Sequence, residues 1–270
     1  MVSGIQRGIR RLSALNLVLA FMLLLFVFLA GPTAYILETF VGGLGIYLQT
    51  LIETSLETDF ATTSDWQARW TLFYWGWWIS WSPFVGIFVA RISKGRTVRE
   101  LITVGLLVPS LVTFFWMSTF GGTALHLERF TEIDIAQQAV DDVAISLHLL
   151  LSKLALGSIT PVFGTLVIVI FFITSSDSGS LVDDMVTSGG HPHPPVSQRL
   201  FWALSEGAVA STLLIVGGLA AIQQAAITMA LPMTLLLIAA CYGMVRAFAT
   251  DIGQSGAPSR DRIEGDIGGD

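Results

Sequence analysis

Charge is what this sequence has least of. Asp, Glu, Lys and Arg make up 13% of its 270 residues, about half the share of a soluble domain. With 53% apolar residues and a mean hydropathy of +0.71, that deficit points to a chain built for a bilayer. The single cysteine, Cys241, excludes an intrachain disulfide. Two of the fourteen basic residues are lysine, Lys94 and Lys153, and the net charge is −6, so nothing offers a nucleic acid a basic surface. A G-x-S-x-G elbow is lacking and no histidine falls within a membrane run, which leaves an enzyme reading without a motif. His191 and His193, in HPHPP, have no further ligands nearby in sequence and read as part of a proline-stiffened loop.

Long apolar runs are there instead. Six stretches, 13–37, 70–90, 101–125, 159–177, 200–221 and 227–249, are long enough to cross about 30 Å of hydrocarbon at ~1.5 Å per residue. They predict an all-α polytopic membrane protein with six transmembrane helices. Arg7, Arg10 and Arg11 precede the first run, but Leu12 to Leu37 is too long for the core of a signal peptide and reads as an anchor. Pro109 and Pro232 are expected to kink their helices, and Thr160-Pro161 reads as an N-cap with proline at the first helical position. With the N-terminus inside, eleven basic residues fall on inner segments and three (Arg69, Arg129, Lys153) on outer ones, which puts both termini in the cytoplasm. The basic stretch 91–100 is one of those inner loops.

Between the spans, residues 39–60 carry Leu44, Leu48, Leu51, Ile52 and Leu56 on one side and polar residues on the other, the pattern of an amphipathic helix on the outer surface. Residues 126–155 predict a short outer helix. Gly121-Gly122 suits close helix packing. The polar, glycine-rich residues 251–270 read as a disordered cytoplasmic tail.

Residues 66–81 hold six of the chain's eight tryptophans. At 100° per residue, Trp70, Tyr74, Trp77, Trp78, Trp81 and Phe84 fall within an arc of about 120°. An interfacial belt accounts for Trp66 and Trp70. Trp77, Trp78 and Trp81 lie roughly 10–17 Å further along the axis, where indoles either pack or face a cavity. The functional alternative is an aromatic box for a quaternary ammonium, held by ring faces at ~0.5–2 kcal/mol each. A second feature is FFITSSDSGS, residues 171–180, where seven small or polar residues are expected to interrupt an apolar helix. Its hydroxyls can bond back to their own helix. Asp177 either marks the cytoplasmic end of that helix or acts in coupling or gating.

WTLFYWGWWISWSPFVGIFVARISKGRT, with LLVPSLVTFFWMSTFGGTAL, FFITSSDSGS and ALNLVLAFMLLLFVFLAGPT, resembles the betaine/choline/carnitine transporter family over most of residues 12–180. That resemblance implies half of a five-plus-five inverted-repeat secondary transporter. Residues 1–64 match the last helix of the first repeat plus the outer amphipathic helix, and residues 65–250 match the second five-helix repeat. It implies Trp77, Trp78 and Trp81 on the substrate pathway, Trp78 in the central box, and Phe84 beside a sodium site; Tyr74 joins them on the same arc. Phe171, Thr174 and Ser175 are implied to offer a carbonyl and hydroxyls to a coupling Na⁺, with no other cofactor. The glycine-rich substrate helix of the first repeat has no counterpart here, so the resemblance implies half a site, with the missing half as a separate chain or absent. The expected activity is Na⁺-coupled uptake of a betaine-, choline- or carnitine-like solute by alternating access in the plasma membrane, for osmoprotection, in a homotrimer as the family is usually found. The competing expectation is a subunit or sensor that binds the cation and moves nothing.

Overall fold

The structure, a computed structural model, describes residues 5–58, 66–131, 133–191 and 194–255, and there is no strand among them. Contacts gather the chain into two compact units, residues 1–58 with 88–209 and residues 59–87 with 210–270. This is a grouping by contact, not by repeat. Five stretches among the described residues are long and apolar enough to cross a bilayer: Arg11–Ala30, Thr33–Ser55, Val98–Phe130, Thr160–Thr187 and Val196–Thr250. Thr33–Ser55 stands among them where no run was expected; the expected run 70–90 does not, its α-helical part having 17 residues behind a π-helical segment, and the runs 200–221 and 227–249 fall together in Val196–Thr250.

In the first unit, α1 (Ile5–Ala30) stops before reaching residue 37. A proline pushes the residue before it out of the α region, so Gly31 leaves the helix and Pro32 opens the next one. Helix α2 (Thr33–Ser55) then replaces the surface helix expected over 39–60. It runs antiparallel along α5 (Val108–Phe130). Tyr35 sets its ring edge-on to His126 and Phe130 at 5.2 and 6.0 Å, Phe40 meets Phe115 at 5.7 Å, and Tyr47 meets Phe114 at 4.9 Å. Leu48, Ile52 and Leu56 of the apolar stripe stay exposed. Of the glycine pair, a Cβ on Gly122 would come within 3.6 Å of Thr39, whereas one on Gly121 would meet open space; close packing holds for Gly122.

The basic stretch 91–100 is a tight helix-to-helix turn. Helix α3 (Gly76–Ile92) ends, and Thr97 opens α4 (Val98–Ile102) with a capping box in which Thr97 and Glu100 each bond the other's backbone N–H. Five residues of π-helix, Thr103–Leu107, join α4 to α5 just before Pro109. That wide turn gives the proline ring the room an α-turn denies it, and α5 continues to Phe130. Two short helices, α6 (Ile135–Asp141) and α7 (Ser146–Ser152), occupy the region where one was expected. The core gathers Leu23, Leu24 and Val27 of α1 with Phe120, Ile135, Leu150, Leu151 and, from α8 (Thr160–Thr187), Val167. The cap of α8 is Ile159, not Thr160. Thr160 instead donates its hydroxyl to Leu151 O at 3.0 Å, tying α8 to α7.

In the second unit, nine π-helical residues, Gln67–Trp75, lead into α3. Helix α9 (Val196–Thr228) breaks at Gly218, whose φ of 63° and ψ of −159° are open essentially to glycine alone. Helix α10 (Ala230–Ser255) starts late enough that Pro232 lies in its first turn, where its missing N–H has no partner to lose. The expected kink does not form. Residues 251–255 of the expected tail are helical; residues 256–270, like His193 of the HPHPP loop, lie outside the described residues. Apolar side chains along α9 and α10 stand open, Ile215 at 85% exposure. Apolar helix surface on this scale is what lipid covers, and the chain is a multi-pass membrane protein.

Candidate functional site

The tryptophan-rich helix is positioned by its small residues. Gly76 and Ser80 are buried, and a Cβ on Gly76 would lie 3.5 Å from Ala230 Cβ. Ser80 Oγ lies 2.9 Å from Gly76 O and 2.7 Å from Ala226 O, so its hydroxyl serves both its own helix and α9. Pro83 cannot donate to Ile79 O, and the hydroxyl of Ser82 does so instead, at 2.8 Å. A proline inside the membrane helix is thereby tolerated without leaving a carbonyl bare.

The large rings leave on another face. Trp66, Trp70, Tyr74 and Trp78 form a ladder with successive centroids 5.4, 5.6 and 6.3 Å apart, and Phe73 stacks on Trp77 at 6.1 Å. Tyr74 and Trp77 are exposed, as are Trp78 at 57% and Trp81 at 44%; Phe84 is half-buried. The structure therefore joins Tyr74 to Trp78, and puts Trp77 in a neighbouring stack. Open indole faces are electron-rich surfaces that attract a cation unable to donate hydrogen bonds. The π-helical turn was invisible to a pattern read at 100° per residue, although the fourfold spacing of the ladder survives it.

The stretch 171–180 is not a break. Helix α8 runs through it without interruption, because its hydroxyls return to the helix they sit on. Thr174 Oγ1 lies 3.0 Å from Ile170 O and 2.9 Å from Phe171 O, and Ser178 Oγ donates to Thr174 O at 2.8 Å. Thr174 is buried; Ser175 and the Phe171 side chain are exposed, and Asp177 is half-buried. Thr174 and the Phe171 carbonyl are thus brought together, whereas Ser175 points elsewhere. Phe84 belongs to the other unit.

One residue here escaped the sequence reading. Asn16 of α1, 6% exposed, donates from Nδ2 to Thr174 Oγ1 at 3.5 Å, and its buried Oδ1 has no partner. An orphaned amide oxygen beside a threonine hydroxyl and a backbone carbonyl is a donor set suited to a hard cation. A polar residue inside an apolar run was the only signal, and its partner lies 158 positions away.

The chain matches the family described as BCCT, betaine/carnitine/choline family transporter, over residues 1–253. It is 47% identical to an uncharacterized transporter of Mycobacterium tuberculosis, over 93% of this chain and 43% of that protein. To glycine betaine transporter 1 of Vibrio parahaemolyticus it is 43% identical, over 93% of this chain and 48% of that protein. A glycine betaine transporter of Bacillus subtilis is 41% identical, over 89% and 47%. The chain spans less than half the length of these relatives. A match running almost from end to end of the chain, at this identity, leaves one conclusion: the chain belongs to the betaine/carnitine/choline family of transporters.

Proposed function

We propose that this chain forms part of a secondary transporter for quaternary ammonium solutes, of the glycine betaine type, coupled to Na⁺. The observation that carries the reading is the open aromatic face that runs from the π-helical segment into α3, with Tyr74, Trp77, Trp78 and Trp81 exposed in a chain of this family. Relatives named glycine betaine transporters support the substrate class. In the proposed cycle, the rings hold the methylated ammonium, and Thr174, the Phe171 carbonyl and Asn16 hold the sodium ion. Asp177 acts in coupling or gating. The orphaned oxygen of Asn16 is what supports the cation at that place.

The relatives are more than twice as long as the stretch they share with this chain, and transport in this proposal needs a partner that matches the rest of them. The membrane is the plasma membrane, with both termini cytoplasmic, as the distribution of basic residues supports. The assembly is a homotrimer, and the physiological role is osmotic adaptation.

The test is uptake of labelled glycine betaine into liposomes under an inward sodium gradient, by the chain alone and with a chain supplying the unmatched part of the relatives. Gradient-driven accumulation with the partner supports the proposal. Ligand binding with no accumulation in either sample would replace it with a subunit or sensor that binds the cation without moving it.

A further inference from the structure

Helix α9 is kinked at Gly218, within the membrane-length stretch Val196–Thr250. Kinks in long helices have identifiable causes, and here two neighbouring glycines supply one. Gly218, at φ 63° and ψ −159°, holds angles that a side chain would strain. A Cβ on it would meet open space, so the angles demand glycine and no neighbour does. Gly217 is needed for the opposite reason. A Cβ there would come within 2.6 Å of Ala221 Cβ, whereas a straight helix keeps such pairs about 5–6 Å apart. The bend draws the next turn of α9 against Gly217.

The two sides of the bend are fastened to different helices. Before it, Glu206 Oε2 accepts from Ser180 Oγ of α8 at 2.5 Å. Gln198 Nε2 donates to Asp184 O at 3.2 Å and Thr187 Oγ1 at 2.6 Å, and Trp202 Nε1 donates to Thr187 Oγ1 at 3.0 Å. After the bend, Ala226 O accepts from Ser80 Oγ of α3 at 2.7 Å, and a Cβ on Gly76 would lie 3.7 Å from Ile227 Cβ. Around the glycines themselves, Ile215, Val216 and Leu219 stand exposed.

Glycine populates positive and negative φ about equally readily, so Gly218 can pass between a kinked and a straight α9 at no side-chain cost. Hinges are a few positions that absorb a large change in φ and ψ while the packed segments on either side stay intact. We propose that Gly218 is such a hinge, with Gly217 leaving room for the turn that closes on it. Straightening α9 returns Gly218 to the helical region and relieves the approach of Ala221. The part of α9 that carries Ala226 then moves with the tryptophan-rich helix, while the part that carries Glu206 stays with α8. The hinge is a property of α9 itself and holds for any solute or coupling ion.

The test is the distance between two nitroxide labels on the full chain in lipid, read by pulsed electron paramagnetic resonance. In a Cys241→Ala background, Ala210→Cys and Thr228→Cys carry the labels at exposed positions, with Cα atoms about 27 Å apart along a straight helix. Two populations are expected, one near that distance and one shorter. Alanine favours the helical region, so Gly218→Ala is expected to lose the shorter population, and Gly217→Ala to lose it through the clash with Ala221. Gly207→Ala, at a position of the same helix where a Cβ meets open space, is expected to keep both. A single population in the labelled parent overturns the proposal. So does survival of the shorter one in a folded Gly217 or Gly218 variant, or its loss in Gly207→Ala. Should one of the two hinge variants misfold, the other still decides.

Discussion

Thr174 and Ser175 are neighbours in sequence with opposite fates in the fold. One helical step turns Thr174 into the contact with Asn16 and Ser175 out of it. At the proposed sodium site, Asn16→Ala and Thr174→Ala are expected to raise the sodium concentration for half-maximal uptake by roughly fivefold each, the equivalent of about 1 kcal/mol per lost polar contact, while Ser175→Ala shifts it less. Equal shifts for Thr174→Ala and Ser175→Ala, measured by uptake against sodium concentration, would contradict the geometry. On the aromatic side, Trp78→Ala is expected to weaken glycine betaine binding by about 1 kcal/mol, roughly fivefold in Kd by calorimetric titration. An unchanged Kd would assign Trp78 to packing. The rings of this face were legible in the sequence because aromatics repeat at helical spacing. Asn16 was not, since a lone amide shows its meaning only beside its distant partner. The Ser180–Glu206 bond, joining positions 26 apart, was hidden for the same reason.

Elements follow from local rules only up to the nearest proline or glycine. Hydropathy located the apolar runs, but Pro32 moved a helix boundary, Pro232 fell in a first turn instead of a kink, and Pro109 was met by a wide turn upstream. The outer amphipathic pattern over 39–60 could not reveal that its aromatic side packs along α5, because that contact is long-range. Helix packing gives a matched pair of tests. Gly122→Leu drives a side chain into Thr39 and is expected to lower stability by about 1–3 kcal/mol, whereas Gly121→Leu meets open space and is near neutral. Thermal unfolding in detergent reads both, and equal losses would sink the packing argument. Ser82→Ala leaves Ile79 O bare beside Pro83 and is expected to destabilise α3 by about 1 kcal/mol in the same assay.

For the whole molecule, the all-α polytopic class was legible from the long uncharged apolar runs, because stretches of about 20 such residues satisfy their backbone within a bilayer as helices. Sidedness is the property that needs its own test. In a Cys241→Ala background, Lys94→Cys is expected to react with a membrane-impermeant maleimide only in inverted vesicles, and Lys153→Cys only in intact cells; both side chains are exposed. The reverse pattern would invert the topology. The ring ladder that runs from the π-helical segment into α3 has a consequence of another kind. With six of eight tryptophans between residues 66 and 81, most of the protein's near-ultraviolet absorption and emission originates in one short segment. Rings this close couple optically, so their circular dichroism and fluorescence form a built-in, label-free reporter. Anything that settles on that face can be followed spectroscopically in the unmodified chain.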